Sequence, residues 1–220
     1  MSSTISYRLS GIALIIGSVL AISYYVSSAF ISGPFPQALA GPVAVIGSLT
    51  GFIGSVLVLL GLPGVYTRQA KAAGILGLLG FLCVWYVTLF HGVLIPFTSV
   101  TIVPVIVTDP AAQHLLAAGP LTSFDPFNYV SIVGETVGFL LLAIATLRAR
   151  VFPRWVAWLL IATLVLNAAS FVPFFPDPLG NIAAQVGYLA MAGFGYALLK
   201  PSRRESVEVQ QSLAEAEART

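Results

Sequence analysis

Two long stretches without any charged residue constrain the fold of this chain more than any other feature. Residues 9–67 and residues 72–108 contain no Asp, Glu, Lys or Arg. Charged residues make up 8% and hydrophobic residues 58% of the 220 positions, whereas about 25% of residues are charged in a typical soluble domain. A soluble protein of this size cannot cover apolar stretches of that length. The sequence therefore predicts an all-α integral membrane protein.

Six segments are long and apolar enough to cross a bilayer. A crossing helix needs about 20 apolar residues, because it rises about 1.5 Å per residue through about 30 Å of hydrocarbon. The segments that meet this requirement are residues 9–31, 42–66, 72–95, 129–147, 155–172 and 181–199. Proline and glycine concentrate between them, as expected at helix ends. We therefore predict a six-transmembrane-helix bundle within residues 1–200, an outer loop at residues 96–128 and a polar cytoplasmic tail at residues 201–220.

All ten Lys and Arg residues lie on one side of this predicted topology. They fall in the N-terminus, in residues 67–71 and 148–154, or after residue 199. The charged residues of the opposite connections are all acidic. Cytoplasmic segments are enriched in Lys and Arg, so we expect a plasma-membrane protein with both termini in the cytoplasm. Residues 38–40 resemble a signal-peptide cleavage site, but the apolar run before them is longer than the apolar region of a typical signal peptide. We therefore expect the first helix to be retained.

Composition and motifs exclude several classes of function. The net charge of +2 gives no basis for a polyanionic partner, so no nucleic acid is expected. Cys83 is the only cysteine, so neither a disulfide nor a CxxC redox pair can form within the chain. No lysine lies inside a predicted span, which excludes a retinal Schiff base. The chain also lacks Walker, HExxH and voltage-sensor motifs.

The sequence contains a candidate internal repeat. The segment GSLTGF at residues 47–52 matches GETVGF at residues 134–139. Each is followed by a basic turn and a helix ending in Pro-Phe, so spans two and three would correspond to spans four and five in a parallel repeat. Apolar sequences also align by chance, and both interpretations stay open. GxxxG spacing lets helix backbones approach closely, so we expect spans two and four at the centre of the bundle.

One acid and several polar or aromatic side chains lie at a similar depth in the outer halves of the spans. Glu135 is the only acidic residue inside a span, and an ionised carboxylate in hydrocarbon costs several kcal/mol unless it is partnered or faces the interior. His91 lies near the outer end of span three, whereas the inner halves are nearly all aliphatic. The other members of the group are Thr50, Trp85, Tyr86, Phe90, Asn167, Gln185 and Tyr188. We therefore predict an outer-leaflet polar site centred on Glu135 and His91.

Three functions fit this predicted site. The leading hypothesis is binding or transport of a lipophilic small molecule or lipid, with membrane lipids around the bundle. The second is a membrane enzyme of the isomerase or cyclase type that uses Glu135 with His91 as general acid or base. In the third, the chain is a structural subunit, and Glu135, His91, Asn167 and Gln185 bond to one another and fix the register of the helices.

The two histidines leave open whether the protein binds a cofactor. His91 and His114 both lie on the outer side, where they are candidates for axial haem ligands. A metal site that adds Asp109 and Asp125 is a further alternative. His114 lies in the outer loop, however, and no predicted span offers the paired histidines of a haem-carrying bundle. The sequence therefore identifies no cofactor.

Overall fold

The computed structural model describes residues 3–33, 37–112, 125–170, 172 and 179–200. Regular structure in these residues is helical, without strands. In chain order, the helices are α1 (Ser3–Ser28), α2 (Pro42–Val87), a π-helix (Thr88–Leu94), α3 (Ile95–Thr101), α4 (Val103–Thr108), α5 (Asp125–Ala149), α6 (Arg154–Ser170) and α7 (Leu179–Leu199). A short 3-10 helix, Gln37–Ala40, precedes α2. The prediction of an all-α fold is confirmed.

The helices are those of a membrane-embedded protein. Within the described ranges, four helical stretches are long and apolar enough to cross a membrane, namely Thr4–Ser28, Pro42–Thr108, Tyr129–Ala149 and Gly180–Leu199. Helix α6 is also apolar but has 17 residues. Large hydrophobic side chains such as Leu60, Ile75 and Val165 are exposed on the outside of the helices. Water-soluble proteins rarely expose apolar surface on this scale.

Helix α2 reverses direction at Gly74. This residue has φ +58° and ψ −149°, a conformation that side chains rarely allow. Residues at nearly equal distances from Gly74 along the chain meet across the turn: the Tyr66 and Phe81 rings stack with centroids 5.1 Å apart, and the Phe52 and Phe97 rings lie 5.8 Å apart. The first limb, residues 42–73, therefore runs antiparallel to the second limb, residues 75–87, and the π-helix that continues it.

The connection predicted at residues 67–71 is helical in the structure. These residues carry the charges that made them resemble a turn, but none of them has to leave helical geometry. Thr67 instead donates a side-chain hydrogen bond to the Pro63 carbonyl, at 2.9 Å, within the helix. The turn lies three residues further along because Gly74 permits the backbone conformation that it needs.

The long helices contact one another in a closed order. Helix α1 packs on the first limb of α2, the second limb packs on α5, α5 packs on α6, α6 packs on α7, and α7 returns to α1. The backbones of α1 and the first limb approach closely where a Cβ on Gly54 would lie 2.6 Å from the Ala21 nitrogen. The buried core at the centre includes Leu14, Val58, Leu62, Leu142, Leu160 and Phe194.

The GxxxG pairs contribute to this packing only in part. A Cβ on Gly51 would lie 2.8 Å from the Tyr24 ring, and one on Gly138 would lie 2.7 Å from the Cys83 Cβ. A Cβ on Gly134 would have no atom of another helix nearer than 3.4 Å, so this residue is in ordinary contact. The parallel repeat stays a prediction.

Arg68 joins the turn region of α2 to the end of α7. Its guanidinium donates hydrogen bonds to the carbonyls of Ala197, Leu198 and Lys200 at 3.0, 3.2 and 3.1 Å, and it lies 5.8 Å from the Tyr7 ring centroid. The last carbonyls of a helix have no partner within the helix, so Arg68 caps α7. The basic residues of the described part of the chain lie at this end of the bundle, which we call the basic end.

Much of the first half of the predicted outer loop is helical. Pro96 and Pro104 occupy first-turn positions of α3 and α4, which is where a helix tolerates proline best. After α4, the Asp109 carboxylate accepts a hydrogen bond from the Ala111 backbone N–H at 2.9 Å, which forms a turn. Residues 113–124 of the loop and the tail at residues 201–220 lie outside the described residues.

Candidate functional site

A cavity lies at the junction of α1, both limbs of the α2 hairpin, α5 and α7. It provides about 60 Å³ of space for the centres of water-sized molecules, whereas one water needs about 10–15 Å³ by this measure. Its lining residues are Tyr25, Val58, Val87, Thr88, His91, Gly92, Glu135, Phe139, Ala184, Gly187, Tyr188 and Met191. Glu135 and His91, which the sequence placed at the centre of a site, therefore face the same cavity from α5 and the π-helix.

Glu135 has a polar partner on α6. The Asn167 side chain lies close enough to the Glu135 carboxyl group to act on it as a hydrogen-bond donor, and Glu135 is half-buried beside the cavity. Both oxygens of a carboxylate accept hydrogen bonds, so one amide donor does not use its full capacity. The neighbouring amide therefore leaves the carboxyl group able to bind a further group in the cavity.

Aromatic side chains form much of the remaining wall. The rings of Tyr25 and Tyr188 lie with centroids 5.9 Å apart, and Phe139 contributes a third ring from α5. The Tyr188 hydroxyl shares a hydrogen bond with the Ser55 hydroxyl at 3.2 Å, which fixes the orientation of its ring. None of the lining residues that the structure describes is Lys or Arg.

The π-helix Thr88–Leu94 forms a further wall of the cavity and approaches Tyr188. A Cβ on Gly92 would lie 2.5 Å from the Ser55 Oγ and 3.2 Å from the Tyr188 hydroxyl oxygen, so the missing side chain makes room for their hydrogen bond. The Thr88 hydroxyl donates to the Val84 carbonyl at 2.8 Å, one turn earlier. π-helical segments are rare in proteins, and many of those that occur lie at functional sites.

The other face of the π-helix lines an apolar groove. It encloses about 560 Å³ by the same measure, and its lining residues are Phe52, Tyr86, Leu89, Phe90, Val93, Leu94, Phe97 and Phe127. The Phe90 ring packs against the His91 ring at 5.5 Å and against the Phe127 ring at 6.3 Å. Cavity and groove therefore lie on opposite sides of one helical segment, with Phe90 and His91 as adjacent parts of their walls.

The structure separates the other predicted ligand-binding residues. Tyr188 lines the cavity and Asn167 bonds to Glu135, whereas Tyr86 and Phe90 line the groove. Trp85, Gln185 and Thr50 line neither hollow. Trp85 is 38% exposed on the outside of the second limb, and the Thr50 hydroxyl donates to the Gly47 carbonyl at 2.7 Å within its own helix.

Sequence reasoning missed three polar residues near the cavity: Tyr25, Ser55 and Thr88. Thr88 lies three positions before His91, so it shares a helix face with that residue, and this spacing is visible in the sequence. Ser55 lies seven positions after Ser48, again on one face, and both serines are buried. Tyr25 has no such signal, because Tyr24 and Tyr25 are adjacent and only packing determines which ring faces inward.

The inner half of the bundle is more polar than predicted. Gln69 and Thr146 are completely or almost completely buried toward the basic end, and the Thr146 hydroxyl donates to the Gln69 Oε1 at 3.4 Å. Among the described atoms, the Gln69 Nε2, Ser18 Oγ and Ser131 Oγ are buried without a hydrogen-bond partner. Gln69 was not recognised because the charges beside it suggested an exposed turn.

The haem and metal sites considered for His91 and His114 stay predictions. Within the residues that the structure describes, no cluster of three or more His, Cys, Asp and Glu could hold a metal ion. His114 and the Asp125 side chain lie outside those residues, so the structure does not test a haem or metal site that uses them.

Comparison with known proteins adds no relative. The chain matches no family model, and neither a curated protein nor a solved structure is significantly similar to it. The functional argument therefore rests on the geometry of the cavity and the groove.

Proposed function

We propose that this chain binds a lipophilic small molecule or a lipid in the cavity around Glu135. The observation that carries the proposal is the convergence of an intramembrane carboxyl group and an imidazole on one cavity. Ionisable groups inside a membrane are costly and usually mark binding or transport sites. The mixture of apolar walls with a few convergent polar groups is also typical of small-molecule sites.

The proposal includes six membrane crossings: α1, the two limbs of α2, α5, α6 and α7. The first limb is about 48 Å long at about 1.5 Å per residue, enough to cross with some tilt. Helix α6 is about 26 Å long by the same rise, which is within the range of short crossing helices of about 17 residues. The basic end then faces the cytoplasm of a plasma-membrane protein, and the cavity is nearer the outer leaflet.

Transport is a further step beyond binding. It requires the cavity to open alternately toward two sides, or toward one side and the lipid. Binding is common to a carrier, a receptor and an enzyme, and it can be tested first.

A membrane enzyme is the second candidate function. Two protonatable side chains, Glu135 and His91, face the same cavity, and the Asn167 amide lies beside the Glu135 carboxyl group. General acid–base catalysis needs such groups within reach of one bound molecule. The structural-subunit alternative is supported by the contact between Glu135 and Asn167 and gives the cavity no role.

Native mass spectrometry of the protein extracted gently from its own membrane tests the proposed function. The wild-type protein should retain a discrete lipophilic mass, and Glu135→Gln should lose most of it while it keeps its fold. Gln185→Leu is the matched control, because Gln185 lies in a span and lines neither hollow, so this variant should retain the mass. A wild-type protein free of any ligand, or equal retention by Glu135→Gln, would contradict the proposal.

A further inference from the structure

The charge of the cavity indicates the chemical class of its ligand. Among the described residues that line it, Glu135 is the only acid, and none is Lys or Arg. The seven Lys and Arg residues in the described part of the chain lie outside the apolar helices or near their ends. A carboxylate at this depth is therefore neutralised by a proton, by His91 or by a cation that enters from outside.

The walls of the cavity favour an organic cation over a hydrated metal ion. The rings of Tyr25, Phe139 and Tyr188 line the space next to Glu135, and aromatic faces attract ammonium groups within about 6 Å. Met191 contributes a polarizable thioether that packs well against apolar groups. A carboxylate beside several rings is the arrangement that recognises alkylated amines, whereas Mg²⁺ and Ca²⁺ prefer several oxygen ligands.

The size of the cavity matches a headgroup. About 60 Å³ of space for water-sized centres accommodates several waters, and therefore an ammonium with small substituents rather than a whole lipid. The apolar part of the ligand must then extend out of the cavity along the helices.

We propose that the ligand of this cavity is a lipophilic amine or quaternary ammonium whose cationic head binds between Glu135 and the rings of Tyr25, Phe139 and Tyr188. This inference rests on the proposed function, since it concerns the same cavity. It predicts selection by charge: a cationic head is attracted, a neutral head lacks the ionic contact, and an anionic head is repelled by the carboxylate.

The test uses three probes with the same apolar chain and different heads: dodecylamine, dodecanol and dodecanoate. Their binding is measured at neutral pH to the full-length protein in nanodiscs of an uncharged galactolipid, which neither attracts the amine electrostatically nor offers a choline head to the cavity. Empty nanodiscs give the background partition of each probe. Dodecylamine should bind at least about tenfold more tightly than either other probe, a difference of about 1.4 kcal/mol.

Glu135→Gln should abolish this preference, and Gln185→Leu should retain it. Equal binding of the three probes, or preference for dodecanol or dodecanoate, overturns the inference and leaves the proposed function standing. Absence of binding by all three probes overturns both. The probe series on the wild-type protein decides the question even if Glu135→Gln does not fold.

Discussion

At the scale of single residues, Asn167 places a neutral amide beside the half-buried acid Glu135. An acid in a bilayer has to be partnered, and an amide donates to it without adding a second charge. The neutral partner leaves the carboxyl group able to interact with another group in the cavity. A Lys or Arg at the position of Asn167 would instead form an ion pair with Glu135. The cavity would then present no net negative charge to a ligand.

Asn167→Leu tests this pair. Because the substitution removes the donor to Glu135, it should lower the free energy of unfolding by about 0.6 kcal/mol, up to about 1.7 kcal/mol, the range for polar contacts between membrane helices. It should also weaken ligand retention. Asn181→Leu, at an exposed position near the start of α7, is the control. Reversible unfolding in mixed micelles measures both variants, and equal effects would argue against a specific role of Asn167.

Gly92 is a second residue whose role follows from a close contact. Gly92→Ala places a Cβ within 2.5 Å of the Ser55 Oγ, so it should destabilise the protein by about 1–3 kcal/mol through overpacking. Ser55→Gly removes the obstructing side chain, and the double variant should therefore lose less stability than the sum of the single variants. A double-mutant cycle of unfolding free energies measures this coupling. Additive effects would contradict the contact.

At the scale of elements, the α2 hairpin depends on the conformation of one glycine. A Cβ on Gly74 would meet no atom within 4 Å, so Gly74→Ala tests backbone conformation without a packing effect. The variant should lose about 1–3 kcal/mol of stability, because alanine is strained at φ +58°. Gly180→Ala is the control, with its nearest contact at 3.9 Å and no positive φ, and it should change stability little. A loss no larger than that of Gly180→Ala would show that the turn tolerates a side chain.

The order of residues along each helix predicts at what level a polar residue lies but not which face of the helix it occupies. Glu135, His91 and Tyr188 share a level along the helices and meet at the cavity, while Trp85 shares that level and faces outward. In a soluble helix the polar residues mark the exposed face, but a membrane helix is apolar on its lipid side and on its core side. The pattern of hydrophobicity therefore does not show how each helix is rotated about its axis. Packing between the helices determines which residues face the cavity.

At the scale of the whole molecule, the separation of charge predicts the topology. Thr108 lies at the end opposite the basic end, and Lys71 lies near the turn of α2; both are exposed. In a Cys83→Ala background, a membrane-impermeant maleimide applied to right-side-out vesicles should label the Thr108→Cys variant and spare the Lys71→Cys variant. Both should react after the membrane is dissolved. Labelling of both positions in intact vesicles, or of Lys71→Cys alone, would refute the six-crossing topology with a cytoplasmic basic end.

The central claim is that a lipophilic ligand occupies the cavity around Glu135, and site-specific photocrosslinking tests it most directly. A photoreactive phenylalanine derivative replaces Phe139, which lines the cavity, or Val165, which is 63% exposed on α6. After irradiation in the native membrane, position 139 should give one discrete adduct mass that a lipophilic amine competes away. Position 165 should give a mixture of membrane lipids. The same lipid mixture at both positions, or no adduct at position 139, would contradict the account.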